Sequence, residues 1–181
     1  MLIQHEDCCL VIIDIQERLV PAVAGPEQVI AHTGILIHAA VRLSVPIVVS
    51  EQYPRGLGGT VEAVKQRLPE SATIVEKMTF SAMAEDAFAD CLRSLGRRQV
   101  VLIGLEAHVC VLQTVEQLLA AGCEVFVVAD ATSSRTPLSH ATAMQRIDKA
   151  GAVIVTTEMV VFEWLRRSGT PEFKELSALL K

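Results

Sequence analysis

Aromatic residues are scarce in this 181-residue chain: one Trp, one Tyr and five Phe, 4% of the total, against 51% hydrophobic residues. The core must therefore be built from Val, Ile, Leu and Ala, a composition that suits a parallel sheet covered by helices on both faces. No CxxC pair occurs and the five cysteines are odd in number, so neither a disulfide framework nor a zinc knuckle is indicated. Reduced thiols and a cytoplasmic location are the expectation. There is no basic stripe with interleaved aromatics. With 21 acidic and 16 basic residues the net charge is −5, which argues against nucleic acid and anionic membrane as partners. The opening "MLIQHEDCCLVIID" has no cationic start, and its apolar run is short and ends in aspartate. It reads as neither a signal peptide nor a membrane span. No GxGxxG follows that run, and "GLGG" at Gly56–Gly59 lacks the Lys-Ser/Thr of a phosphate loop, so no cofactor is expected.

What is present is a regular alternation. "CCLVIID", "PIVVS", "ATIVEK", "QVVLIG", "EVFVVAD" and "AVIVTT" are six short, apolar, β-branched runs. Helix-length stretches separate them, among them Glu27–Leu43, Val61–Leu68, Val109–Ala121, His140–Ala150 and Val160–Arg167. "SGTP" introduces a last helix over Pro171–Leu180, with proline in its first turn. This is the signature of an α/β, three-layer, doubly wound fold with a six-stranded parallel sheet, taken here in the order 3-2-1-4-5-6. No repeat or linker interrupts it, and residues 1–181 are expected to form one domain.

In such a sheet the binding crevice lies at the carboxyl ends of the strands. The first strand ends at Asp14, the third runs into Lys77, and the fourth runs into "GLEAHVC", which ends at Cys110. In the assumed order the first and fourth strands are neighbours, about 4.8 Å apart, and the third is two spacings from the first. A long lysine could span that gap. The three residue types suit nucleophilic catalysis. A thiol must lose its proton to attack, and its unperturbed pKa is about 8.5. A helix start and an ammonium favour the thiolate, whereas a nearby carboxylate opposes a second negative charge. The expected compromise has Asp14 taking the proton from Cys110 during attack and returning it to the leaving group. Lys77 offsets the negative charge, and backbone N–H groups of the turn before the helix meet an oxyanion.

The motifs "VIIDIQERL", "VEKMTFSA" and "GLEAHVCVLQT", in that order, resemble the isochorismatase-like, or cysteine hydrolase, family along nearly the whole chain. "SEQYPRGLG" and "VVADATSSR" are similar to its isochorismatase domain-containing subgroup. The resemblance implies the triad Asp14, Lys77 and Cys110, a non-proline cis peptide at Leu105–Glu106, and an oxyanion hole from the N–H groups of Glu106 and Cys110. It also implies a homo-oligomer acting on a small-molecule substrate. Nicotinamidases of the family bind a metal through aspartate and histidines after the second strand. Here "SEQYPRGLGG" holds no histidine, so no metal is predicted. Members that act on isochorismate often lack the cysteine, so its retention favours an amide-like or ureido-like substrate.

Gln16, Tyr53 and Phe80 follow strands one, two and three and are candidates to line a pocket, although packing is the plain alternative for each. His108, two residues before Cys110, is a pocket candidate rather than the base, because residues two apart do not face each other on a helix. His5, His32, His38 and His140 have no ligand-like spacing. Trp164 reads as core or subunit contact, Arg135 as a loop anchor, and Ser133 or Ser134 as a helix cap. Two other functions stay open beside a hydrolase. One is a non-catalytic interaction protein that keeps the fold. The other is a thiol redox sensor, although no resolving cysteine lies near Cys110 in sequence.

Overall fold

The computed structural model describes residues 1–181. Six parallel strands form one sheet: β1 (Cys8–Ile13), β2 (Ile47–Gln52), β3 (Thr73–Lys77), β4 (Gln99–Leu105), β5 (Glu124–Ser133) and β6 (Val153–Val155). Their spatial order is β3-β2-β1-β4-β5-β6, as the sequence pattern predicts. The central strands β1 and β4 are buried at every residue. Edge strand β3 is exposed at Thr73, Ile74 and Glu76 and buried at Val75 and Lys77.

Successive strand residues point to opposite faces, so each strand feeds two cores. Leu10 and Ile12 join Val49, Ile103, Phe126 and Trp164 on one face. Cys9, Val11 and Ile13 join Leu102, Val111, Val115 and Phe88 on the other. Helices α1 (Pro26–Arg42) and α7 (Thr157–Leu165) cover the first face, joined by α8 (Pro171–Ala178). Helices α4 (Asp86–Leu95), α5 (Leu112–Ala120) and α6 (Pro137–Ala150) cover the second. The short α2 (Pro54–Leu57) and α3 (Glu62–Lys65) lie between β2 and β3. Trp164 is a core residue.

Several details differ from the sequence reading. Strand β2 continues two residues past "PIVVS", to Gln52. The sequence pattern names no helix between the third and fourth strands, and α4 fills that crossover. Helices α6 and α7 start earlier than their apolar patterns suggest, each after a threonine cap. Thr136 Oγ1 accepts from the Ser139 N–H at 3.1 Å, and Thr156 Oγ1 accepts from Met159. Thr136, followed by Pro137 in the first turn, therefore takes the capping role expected of Ser133 or Ser134. Those two serines instead fasten the end of β5. Ser133 Oγ donates to the Ala24 carbonyl at 2.5 Å, and the Ser134 carbonyl accepts from the Ala24 N–H at 2.9 Å.

Candidate active site

The carboxyl ends of β1, β2, β3 and β4 meet on one edge of the sheet, beside the switch point where the chain order reverses. Asp14 follows β1 with φ 51°, a left-handed conformation that Asp tolerates better than most side-chain-bearing residues. That turn leaves its carboxylate fully buried. Ser50 Oγ, from the neighbouring β2, donates to Asp14 Oδ1 at 2.7 Å. Lys77, the last residue of β3, reaches across β2 so that its Nζ lies 2.8 Å from Asp14 Oδ2. The contact is an ion pair without the angle of a directed hydrogen bond. Both side chains are almost wholly buried, where charged groups are found when they are paired.

Lys77 is held from three further directions. Its Nζ donates to Gln52 Oε1 at 2.6 Å and to the carbonyls of Thr79 and Phe80 at 3.2 and 3.1 Å. The Gln52 amide nitrogen donates onward to the Met78 carbonyl at 3.0 Å. Ser50 and Gln52 are site residues that the sequence reading does not include. A signal for them exists: they are two apart in one strand and so share a face, next to the strand that ends in Asp14.

Cys110 arrives from β4. The Leu105–Glu106 peptide is cis, and residues Ala107–Val111 form a single π-helical turn ahead of α5. Such turns occur often at functional sites. The Glu106 carbonyl accepts from the N–H groups of Val109 and Val111, at 3.0 and 3.3 Å, and passes over the Cys110 N–H between them. The Glu106 N–H donates to no backbone carbonyl. The Cys110 thiol is buried, close enough to Asp14 and Lys77 for both charges to act on it. Burial, reinforced by the Asp14 carboxylate and opposed by Lys77, pushes the thiol up to about 12. The sulfur at rest therefore keeps its proton. Burial also raises the Asp14 carboxyl above the ordinary carboxylate range, against the pull of Lys77 and Ser50.

The remaining candidates are spread out. Gln16 is buried, and its amide is committed to the scaffold. Its Nε2 donates to the carbonyls of Gln52 and Gly58 at 2.9 and 2.6 Å, and its Oε1 accepts from the Gln52 N–H at 2.7 Å. It thus sits beside the site through Gln52, by way of the packing alternative weighed for it. Tyr53 lines a cleft of about 280 Å³ with Pro54, Arg55, Met78 and Glu85, next to Lys77. The Phe80 ring is exposed, and its carbonyl is what faces Lys77. His108 shares a second shallow groove with Leu112, Leu138 and Arg146, and its Nδ1 lies 2.9 Å from Ser134 Oγ. Arg135 grips the Glu106 carboxylate with two nitrogens, Nε at 2.5 Å and Nη2 at 3.3 Å. The largest groove, about 610 Å³, lies away from this edge, between α1 and α8.

A family model described as the isochorismatase domain matches residues 8–159. The chain belongs to the isochorismatase family. It is 38% identical over 174 residues to isochorismatase domain-containing protein 1 of Danio rerio, covering 96% of this chain and 59% of that relative. The chain thus spans little more than half the length of that relative. A secreted isochorismatase effector, Isc1 of Phytophthora sojae, is 37% identical over 99% of this chain and 87% of its own length. Among solved structures, one described as MAR1 ribonuclease from Caenorhabditis elegans superposes with a TM-score of 0.94 at 38% identity, covering 99% of this chain and 92% of that one. Membership of the isochorismatase family supports a hydrolase.

Proposed function

We propose that the chain is a metal-independent cysteine hydrolase acting on a small amide-like or ureido-like substrate through Asp14, Lys77 and Cys110. The observation that carries this reading is a buried neutral thiol facing a buried carboxylate whose counter-charge is a buried lysine. A purely structural cysteine has no need of that costly arrangement.

The sequence of steps follows from the protonation states. Cys110 starts as a thiol, so Asp14 must accept its proton as sulfur attacks the substrate carbonyl carbon. A C–S bond forms, and the carbonyl π electrons move to oxygen. The N–H groups of Glu106 and Cys110 meet that oxyanion, a contribution of about 10²–10³ in rate per donor in comparable sites. The intermediate collapses by breaking the C–N bond, and Asp14 returns its proton to the departing nitrogen. Water, deprotonated by Asp14, then attacks the thioester carbon, the C–S bond breaks to release the acid, and Asp14 returns that proton to sulfur. Lys77 limits the cost of gathering negative charge on Asp14 and sulfur. Every proton in these steps is moved by this chain's own residues, so none of them calls on a metal ion.

Two alternatives and two further expectations have their own outcomes. A redox sensor fits poorly with a thiol held protonated up to about 12, since peroxide attacks the thiolate. A ribonuclease activity, by analogy with the structural relative's name, would need a cationic groove that a chain of net charge −5 does not advertise. A homo-oligomer is expected, and exposed Met78, Phe80 and Leu138 around the site edge are available for one. A cytoplasmic location is likewise an expectation.

The test is a panel of small amides, ureido compounds and a short RNA, read by product formation and by intact mass. Turnover of an amide or ureido compound with an acyl adduct on Cys110 is expected, and Cys110→Ser should abolish both. Glu106→Gln keeps the backbone N–H and one acceptor for Arg135, so its activity should stay within about tenfold of wild type. Equal activity of wild type and Cys110→Ser on any substrate, or cleavage of RNA alone, would sink the proposal.

A further inference from the structure

At the opposite edge of the sheet a further cavity opens between α4 and α5, floored by Cys9 and Val100 near the starts of β1 and β4. Its volume is about 350 Å³, within the range of small-molecule sites. Cys9 lies on its floor and Asp14 just past the far end of the same strand, so the two are ~16 Å apart along it. The cavity is therefore separate from the candidate active site.

Its walls are apolar. Cys9, Val100 and Leu118 are buried there, with Met83, Leu92 and Cys123 partly so. The thiols add no charge: burial pushes Cys9 up to about 12 and also raises Cys123. The rim is cationic. Arg93 stands there but is paired with Asp90 on its own helix. Arg98, just beyond, is paired with Asp7 and Glu124. Arg97, half-buried at the rim, has no acidic partner, and its charge is felt at the Cys9 sulfur on the cavity floor. An apolar chamber of this size with one uncommitted guanidinium at its mouth matches an alkyl chain that ends in a carboxylate. Guanidinium pairs such an anion through two parallel N–H donors.

We propose that this cavity binds a medium-chain fatty acid, its chain among Cys9, Val100, Leu118 and Cys123 and its carboxylate on Arg97. The probes are straight-chain carboxylates from hexanoate to dodecanoate and the alcohols of matching length, titrated calorimetrically into the full chain. Affinity should rise about fourfold per methylene, then level off once the chamber is full. Decanol should bind at least tenfold more weakly than decanoate. Arg97→Gln should remove that difference while leaving decanol binding unchanged. Decanoate should also slow alkylation of Cys123 by N-ethylmaleimide, followed by peptide mass spectrometry. Ala89→Phe, which fills the chamber from α4, should abolish binding; should that variant fail to fold, Arg97→Gln decides alone. No saturable binding of decanoate below its micelle threshold, equal affinity for acid and alcohol in the wild type, or unchanged decanoate affinity in Arg97→Gln overturns the assignment. None of these outcomes depends on turnover at Cys110.

Discussion

Lys77 carries three N–H donors and faces four oxygens: Asp14 Oδ2, Gln52 Oε1 and the carbonyls of Thr79 and Phe80. The three uncharged oxygens fix the ammonium in place, and the carboxylate supplies its counter-charge. Gln52 is the one replaceable neutral partner, since the other two are backbone. Gln52→Leu keeps much of the volume and removes that acceptor. A hydrogen bond to a charged group is worth about 1.5–3 kcal/mol, so kcat/KM on the substrate found should drop about 10–100-fold. The fall should lie in kcat, because Lys77 stabilises charge that grows during attack. A loss confined to KM would show that Gln52 only shapes the substrate pocket. Asp14, Lys77 and Cys110 can be singled out in the sequence because each lies at or shortly after the end of a strand, where the fold class puts a crevice. Gln52 is hidden because "EQ" after "PIVVS" reads as the start of a loop, although β2 runs through it. Ser50 is hidden because nothing in a strand's own sequence tells which neighbour its hydroxyl meets. The bonding of Gln16 is hidden for a related reason: sequence gives a residue's position but not where its amide is spent.

At the scale of the element, β1 and β4 set the distance on which the site depends. Gly104 pairs with Ile13 and has φ 122°, and a Cβ there would lie 2.0 Å from the Ile13 carbonyl oxygen. The two strands can therefore close beneath Asp14 and Leu105 only around a residue without a side chain. Gly104→Ala should cost more than about 3 kcal/mol in urea unfolding, in the tail of single-substitution effects. Gly96→Ala, also at positive φ but with open space around its Cβ, should cost only about 1–2 kcal/mol. Equal costs for the two would mean that Gly104 is needed for its conformation alone. Strand β1 also carries two buried thiols. Burial pushes both Cys8 and Cys9 from 9.0 up to about 12. In the unfolded chain they ionise from about pH 9, while the folded chain keeps their protons. Their contribution is thus complete below pH 9 and is lost as the pH rises towards 12. Each adds a slope of up to about 1.4 kcal/mol per pH unit in that window. Urea midpoints between about pH 9 and 11 should fall more steeply for wild type than for a Cys8→Ala, Cys9→Ala double variant. Parallel slopes would show that these thiols ionise as readily when folded. The strands are legible because the apolar runs are short and rich in β-branched residues, the two features that separate a buried strand from a buried helix segment. Helix α4 is blurred, with Phe88 as its one fully buried side chain. The π-helical turn has no signature, because its hydrogen-bond pattern is set by where β4 delivers the chain.

For the molecule as a whole, the question is whether two cores on opposite faces of one sheet make one cooperative unit. Trp164, the only tryptophan, lies in the core under α1 and α7, whereas Cys9 and Cys110 lie in the core under α4, α5 and α6. Leu10 and Ile12 serve the first core and Cys9, Val11 and Ile13 the second, from one continuous strand. Stripping the helices from either face would expose half of every central strand while leaving the other half packed. The strand hydrogen bonds tie both faces to a single event, so a stable half-unfolded state has little to hold it. The alternation of side chains between the two faces is readable in sequence, but the cavities between helices are not, since their walls come from elements distant in the chain. Trp164 fluorescence should therefore report the first face and iodoacetamide labelling of Cys9 the second, each followed across a urea titration. The two midpoints should coincide within error, and both should match the loss of far-ultraviolet circular dichroism. Thiol labelling that precedes the tryptophan signal by more than about 0.5 M urea, at an m-value of about 1–3 kcal/mol/M, would mean that α4, α5 and α6 open as a separate unit.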